Sequence, residues 1–292
     1  MTWTAQPTDD GSFTFFSAEF NEAFHSRQGA RSEAFTKFAE ATDLPEQARA
    51  PQLCLLDVCY GLGYNSAAAL ETIWAVNPDC RVELYALELD ASVPQAVVDS
   101  SLVNIWLPPT QEILQALATD SECHSQQLSA KLLVGDARQT IQQLSMQADA
   151  VFFDPFSPRR CPQLWTVEFF QQVRGRLAPN GKLATYSRSA SVRAAMQQVG
   201  LQIGTIPLGA AHLPHEWSQG TVAAIPSAAS EAIRLTPLSP MEQEHLQTRA
   251  AVPYRDLSLR DSAQQILARH QAEQQQSSLE STSSWRRRWG IR

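Results

Sequence analysis

The sequence predicts an α/β protein built on a Rossmann-like sheet, mostly parallel with an antiparallel edge, plus a small helical C-terminal appendage. Three observations predict it. Short apolar runs alternate with helix-length segments from residue 53 to residue 199, the pattern of a doubly wound parallel sheet. The first run, residues 53–58, passes into Cys59-Tyr60-Gly61-Leu62-Gly63-Tyr64-Asn65, a glycine turn, and then into an Ala-rich helical stretch over 66–74. The last two strand-like runs, 201–206 and 221–225, have no helix between them, which suggests an antiparallel pair at one edge.

The elements follow in order. Residues 13–16 read as a short strand and 30–41 as a helix with Ala34, Phe35 and Phe38 on one face. The second core strand spans 81–87 and ends at Glu88; helical segments follow near 92–100 and 110–120, and the polar stretch 120–128 reads as a loop. Residues 131–134 form the third strand, ending at Gly135-Asp136, where Asp136 is placed to cap a helix running to 144. Residues 150–153 form the fourth strand, ending at Asp154. A helix is expected over 163–177, with Leu164, Val167, Phe170 and Val173 at helical spacing; Asn180-Gly181 turns into a strand at 182–186; and Gly200 closes a helix over 191–199. Beyond 226 the alternation stops, leaving helices near 240–249 and 262–275 and a Ser/Gln-rich tail. The expected division is an N-terminal lead-in over 1–50, a central domain over 51–226 and a helical extension over 227–292. The basic end Trp285-Arg286-Arg287-Arg288-Trp289 reads as disordered or as a binder of single-stranded RNA.

A chain of 292 residues can bury an ample core. No run approaches the roughly 20 apolar residues of a membrane span, and the first residues show no secretory leader. Cys54, Cys59, Cys80, Cys123 and Cys161 are odd in number and contain no C-x-x-C, so reduced thiols in a cytoplasmic protein are expected, with neither zinc site nor disulfides. His212 and His215, flanking Pro214, read as polar loop residues rather than metal ligands. The net charge of −7 is unevenly spread. Residues 1–150 hold 7 Lys/Arg against 20 Asp/Glu, a balance of −13, whereas 155–200 hold 7 Lys/Arg against Glu168 alone, a balance of +6. Such polarity places a basic face on an acidic protein; ordinary solvated arginines are the competing reading.

Ligands of a parallel sheet bind beyond the carboxyl ends of its strands, and four successive strands here end in an acid: Asp57, Glu88, Asp136 and Asp154. A dinucleotide fingerprint requires a third glycine where Ser66 stands. An acid four residues before Gly61 instead matches the pattern of S-adenosylmethionine (SAM) methyltransferases, in which a carboxylate faces a cationic methionine moiety; a turn-capping aspartate is the plain alternative. The candidate cofactor-binding residues are therefore Asp57, Gly61, Gly63, Asn65, Glu88 and Asp136. Glu88 suits ribose hydroxyls, with Asp90 as rival, and Asp136 suits an adenine amino group or its helix cap. Asp154 opens Asp154-Pro155-Phe156-Ser157-Pro158, a loop stiffened by two prolines and suited to holding a substrate group.

These residues resemble a family. Residues 57–65, Asp154-Pro155-Phe156-Ser157-Pro158-Arg159-Arg160 with Pro162-Gln163-Leu164-Trp165, and Leu183-Ala184-Thr185-Tyr186-Ser187 with Val192-Arg193 are similar to the methyltransferase domain of the MnmC family; Phe24-His25-Ser26, Gly29-Ala30 and Glu33-Ala34 resemble its leading segment. The resemblance covers roughly residues 12–225. It implies a class I SAM-dependent methyltransferase fold and methylation of the 5-aminomethyl group of the wobble uridine in the tRNA anticodon. It also implies Gly61, Gly63, Glu88 and Asp136 as SAM-binding positions and Asp154 as the acid that holds the amine; on our reading of the residues, Phe156, Arg159, Arg160, Trp165 and Tyr186 are the candidates on the substrate side. Trp165 suits base packing and core packing equally. Cys59 departs from the family, which usually has glycine there, and no second G-x-G-x-x-G is present, so the flavin oxidase domain of the two-domain members is expected to be missing. An aminopropyltransferase, a methyltransferase of another RNA or protein, and a non-catalytic SAM-binding partner are the alternatives.

Overall fold

The computed structural model describes residues 3–208, 215–226 and 233–291. It divides into two compact units, Met1–Phe156 and Ser157–Arg292.

The main sheet of the first unit is built from β1 (Gln52–Val58), β2 (Arg81–Glu88), β3 (Glu122–His124), β4 (Leu128–Val134) and β5 (Ala148–Phe153). Their spatial order is β5-β1-β2-β4-β3, parallel throughout except for the edge strand β3. Every residue of β1 from Leu53 to Val58 is buried, as a strand covered on both faces requires. Register aligns the strand ends: Val58 pairs with Leu87 and Phe153, and Glu88 pairs with Val134. Three strand-end acids therefore share one edge. The Ala-rich helix Tyr64–Val76 buries Ala67, Ala68, Ala69, Leu70 and Ile73.

Several boundaries differ from expectation. Residues 120–128, expected as loop, contain β3, and β4 begins at Leu128 because Leu128, Ala130 and Leu132 are buried while Ser129 and Lys131 are exposed, a period-two pattern hidden by polar composition. Asp136 caps only Ala137–Thr140, after which the chain tightens into a 3₁₀ turn. Residues 13–16 divide into two short strands, Phe13–Thr14 and Phe16–Ser17, each in its own antiparallel pair. The expected helix over 30–41 begins as Ala30–Glu33 and widens to a π-turn over Ala34–Ala39, where Glu40 N–H reaches back to Phe35 O at 2.8 Å.

The second unit carries β6 (Leu177–Thr185), β7 (Gln202–Ile206) and β8 (Gly220–Ala224), with β8 antiparallel to both others. Asn180-Gly181 lies within β6 rather than in a turn. The helix expected over 163–177 is interrupted: Pro162–Trp165 forms a 3₁₀ turn, and Thr166 restarts the chain as Val167–Arg174 by accepting Phe169 N–H on its hydroxyl at 3.2 Å. Capping boxes at Ser239/Glu242 and Ser262/Gln265 open Pro240–His245 and Ala263–Gln276. The basic end, read from sequence as disordered or as a binder of single-stranded RNA, is ordered as the helix Thr282–Arg288, which corrects the expectation of disorder. Trp285 is 1% exposed and stacks on His245 with ring centroids 4.2 Å apart, while Arg288 pairs with Glu244 and Glu280. One buried indole and cations in the last turn, where they complement the helix dipole, anchor this segment. His212 lies outside the described residues. Among those described, no cluster of three or more His, Cys, Asp or Glu could hold a metal, and no helix is long and apolar enough to cross a membrane.

Candidate active site

The glycine turn is held in shape by its own backbone. Gly61 and Gly63 have φ of +55° and +79°, and a Cβ on Gly63 would lie 2.6 Å from Tyr60 Oη. Cys59, where the family resemblance led us to expect glycine, has φ of +71°. The left-handed backbone explains the family's glycine, and a cysteine there costs about 1–2 kcal/mol. The amides of Cys59 and Tyr60 both donate to Leu87 O, at 3.0 and 2.9 Å, tying the turn to β2.

Around the turn stand three carboxylates. Glu88 is buried and accepts Gly61 N–H at 2.7 Å and Asp90 N–H at 3.0 Å, one on each oxygen; burial pushes its carboxyl above the usual range. Asp90, its rival in sequence, accepts Ser92 N–H at 2.9 Å and so stabilises the local turn. Asp57 is fully buried and accepts the Ser66 hydroxyl at 2.6 Å, while its other oxygen has no hydrogen-bond partner among the described residues. Burial, helped by the charge of Glu88, pushes Asp57 up to about 7. Asp154 follows β5, its N–H bonded to Val58 O at 3.1 Å. The Asn65 side-chain amide donates to Asp154 Oδ2 at 2.9 Å. Burial pushes Asp154 up to about 7 as well; the Asn65 bond opposes the rise and Asp57 adds to it. Asp57, Gly61, Asn65, Glu88 and Asp154 thus form one linked cluster beside Gly63.

The other candidates have contacts of their own. Asp136 accepts Arg138 N–H at 2.9 Å as a helix cap and is gripped by the Arg138 guanidinium at 2.7 Å. Phe156 stacks on Phe20, centroids 4.5 Å apart, and meets Phe24 edge-on at 4.9 Å. In the second unit, Trp165 is fully buried and lies edge-on to half-buried Tyr186 at 6.1 Å, and Arg159 and Arg160 are exposed. Sequence reasoning missed Ser66 as the partner of Asp57, missed Phe20, and named Phe24 only as part of the leading segment and not as a partner of Phe156; the crowding of phenylalanines over residues 13–24 was the available signal.

A phosphate brought to this turn would meet three carboxylates, whereas a sulfonium-bearing nucleoside meets its counter-charge. The fold and site define a SAM-dependent methyltransferase of class I. The unpartnered buried oxygen of Asp57 fits the cationic end of that cofactor. Residues 101–210 match the family model described as S-adenosyl-L-methionine-dependent methyltransferase. The chain is 31% identical to MnmC2 of Aquifex aeolicus, superposing on its crystal structure with a TM-score of 0.80 over 94% of this chain and 86% of that one. The chain belongs to the MnmC2 family. It is also 31% identical over 201 residues to an uncharacterized protein of Methanocaldococcus jannaschii, matching 67% of this chain and 53% of that protein. It is 28% identical over 210 residues to the tRNA 5-methylaminomethyl-2-thiouridine biosynthesis bifunctional protein MnmC of Paraburkholderia phymatum. That match covers 65% of this chain and 31% of the bifunctional protein, so the chain spans about half of the first relative and under a third of the second.

Proposed function

We propose that this protein is a cytoplasmic tRNA methyltransferase that converts the 5-aminomethyl-2-thiouridine at the wobble position to 5-methylaminomethyl-2-thiouridine. The observation that carries the reading is Asp154, an acid with its proton affinity raised to about 7 and its orientation set by Asn65. SAM supplies, when bound, an electrophilic methyl group on a cationic sulfur. The residues do the rest. A primary amine arrives largely as ammonium and must lose a proton before it can attack. An ordinary carboxylate is a poor acceptor at neutral pH; one raised to about 7 is matched to the task. Asn65 occupies one oxygen of Asp154 and leaves the other for the amine. Glu88 retains lone pairs on both oxygens after its two amide bonds, enough for ribose hydroxyls. Asp57 supplies negative charge near the sulfonium, and Asp136, already committed to Arg138, borders the adenine end. Phe156 with Phe20 and Phe24 forms an apolar wall, Trp165 backs Tyr186 against the uracil, and Arg159 and Arg160 meet tRNA phosphates. Residues 51–226 make up the methyltransferase domain, with 1–50 and 227–292 as its flanking segments.

The direct experiment incubates the protein with methyl-labelled SAM and tRNA from a strain lacking this modification. Label should appear in the wobble uridine after nucleoside digestion; label in another nucleoside, or none in tRNA, rejects the reading.

Ionisation of the cluster gives the cofactor a pH signature. Bringing a cation to Asp57 favours its charged form, so a proton leaves on binding wherever this group is still protonated. SAM should therefore bind on the order of tenfold more tightly at pH 8 than at pH 6. The demethylated product, whose sulfur is uncharged, should change by less than about threefold, because the coupling needs a cation. Calorimetric titrations of both ligands at the two pH values check this; parallel behaviour of the two would refute the coupling.

A further inference from the structure

The second unit contains a solvent-open cavity of about 380 Å³ walled by Tyr186, Arg188, Trp217, His245, Trp285 and Arg286. Its volume falls at the low end of the roughly 300–1,000 Å³ of small-ligand sites. No lining side chain is acidic. The unit as a whole carries 16 Lys/Arg against 9 Asp/Glu, a balance of +7, so the cavity sits in a basic setting.

Its walls combine flat rings with guanidinium groups. His245 stacks on Trp285 at 4.2 Å, and Trp217 meets both rings edge-on, at 5.5 and 5.9 Å, which fixes its plane. Burial lowers His245 to about 4, with Arg193 and Arg286 adding to the effect, so this frame is uncharged at neutral pH. The Arg188 guanidinium lies 5.2 Å from the Trp217 ring centroid and gives one N–H to Ser218 O at 3.0 Å, leaving further donors. The Arg286 side chain is exposed and has no hydrogen bond or ion pair among the described residues. Rings that can take a base, beside cations that can take a phosphate, are the recurring equipment for unpaired nucleic acid. An acidic peptide would use the cations and leave the rings without a task.

We propose that this cavity seats one unpaired nucleotide of the RNA substrate, other than the nucleotide that is methylated, with its base against Trp217 and its phosphate at Arg188 and Arg286. The inference rests on the reading that the substrate is RNA and adds where a second nucleotide is held.

The test uses the full chain and a fluorescently labelled anticodon stem-loop. Trp217→Ala should weaken RNA binding about tenfold, the usual scale of a lost base stack, whereas Trp217→Phe should stay within about threefold because a stacking face remains. Arg286→Glu, on an exposed helix face, should weaken binding and lower the slope of log K against log salt by about one phosphate contact. In turnover assays these losses should appear in KM for RNA and not in the affinity for SAM. Unchanged RNA affinity in both Trp217→Ala and Arg286→Glu overturns the proposal. So does a poly-glutamate peptide that competes with the RNA as well as an oligonucleotide does. The two readings fail separately: absence of methyl transfer by the wild type rejects the proposed reaction, while RNA affinity that ignores the variants rejects the cavity.

Discussion

Replacing Asp154 with asparagine should lower kcat by roughly 10²- to 10⁴-fold, the range for losing a positioned proton acceptor, while the affinity for SAM changes by less than about threefold. The substitution preserves shape. Asn65 donates to Asp154 Oδ2, and the carbonyl of an asparagine can still receive that bond, so the loop geometry survives. What disappears is the ability to take a proton from the arriving ammonium. The wild-type rate should rise as the pH climbs through about 7, because only the ionised carboxylate accepts the proton. The variant's residual rate should lose that limb. Single-turnover rates with tRNA across pH 5.5 to 8.5, together with calorimetric SAM binding, check both parts; near wild-type turnover in Asp154→Asn would remove this residue from the chemistry.

The largest effect on stability is expected from Arg193→Ala. Arg193 is 1% exposed, and its guanidinium reaches Glu242 at 3.1 Å, the Ser218 and Thr221 hydroxyls each at 2.9 Å and Gly220 O at 3.3 Å. Glu242 is fully buried as well and spends its second oxygen on the Ser239 capping box. Removing the arginine leaves a buried carboxylate without its counter-charge, a change that costs about 3–5 kcal/mol. Removing both members, as in Arg193→Met with Glu242→Met, should recover part of that loss, because the uncompensated charge is gone. Urea denaturation followed by tryptophan fluorescence measures it, and a loss below about 1 kcal/mol in Arg193→Ala would show that the pair is not what holds Pro240–His245 in place.

The parts of the molecule that sequence reading captured are those encoded locally. An apolar run that stops at an acid is visible in six or seven adjacent residues, and parallel pairing then brings the ends of β1, β2 and β5 to the same edge. What escaped depends on which distant segments meet. Ser66 counted only as a missing glycine until the fold placed its hydroxyl on Asp57, and the Asn65–Asp154 bond spans 89 positions. Phe20 and Phe24 became a wall for Phe156 only once the lead-in segment folded back. Arg193 and Glu242 lie 49 positions apart in stretches that look like ordinary solvated helices. The tail misled for a different reason: its Ser, Gln and Arg content outweighs Trp285, and no compositional signal shows that one side chain is a core residue.

Glu88 has a kinetic meaning beyond recognition. With one oxygen on Gly61 N–H, the other on Asp90 N–H, and Leu87 O holding Cys59 and Tyr60, the turn keeps its shape without help from a visitor. A nucleoside arriving there freezes no loop, and so forfeits none of the roughly 1–2 kcal/mol per residue that ordering backbone consumes. Capture then runs at the frequency of well-oriented encounters, and analogues that differ at the sulfur or the ribose should be told apart by how long each one stays.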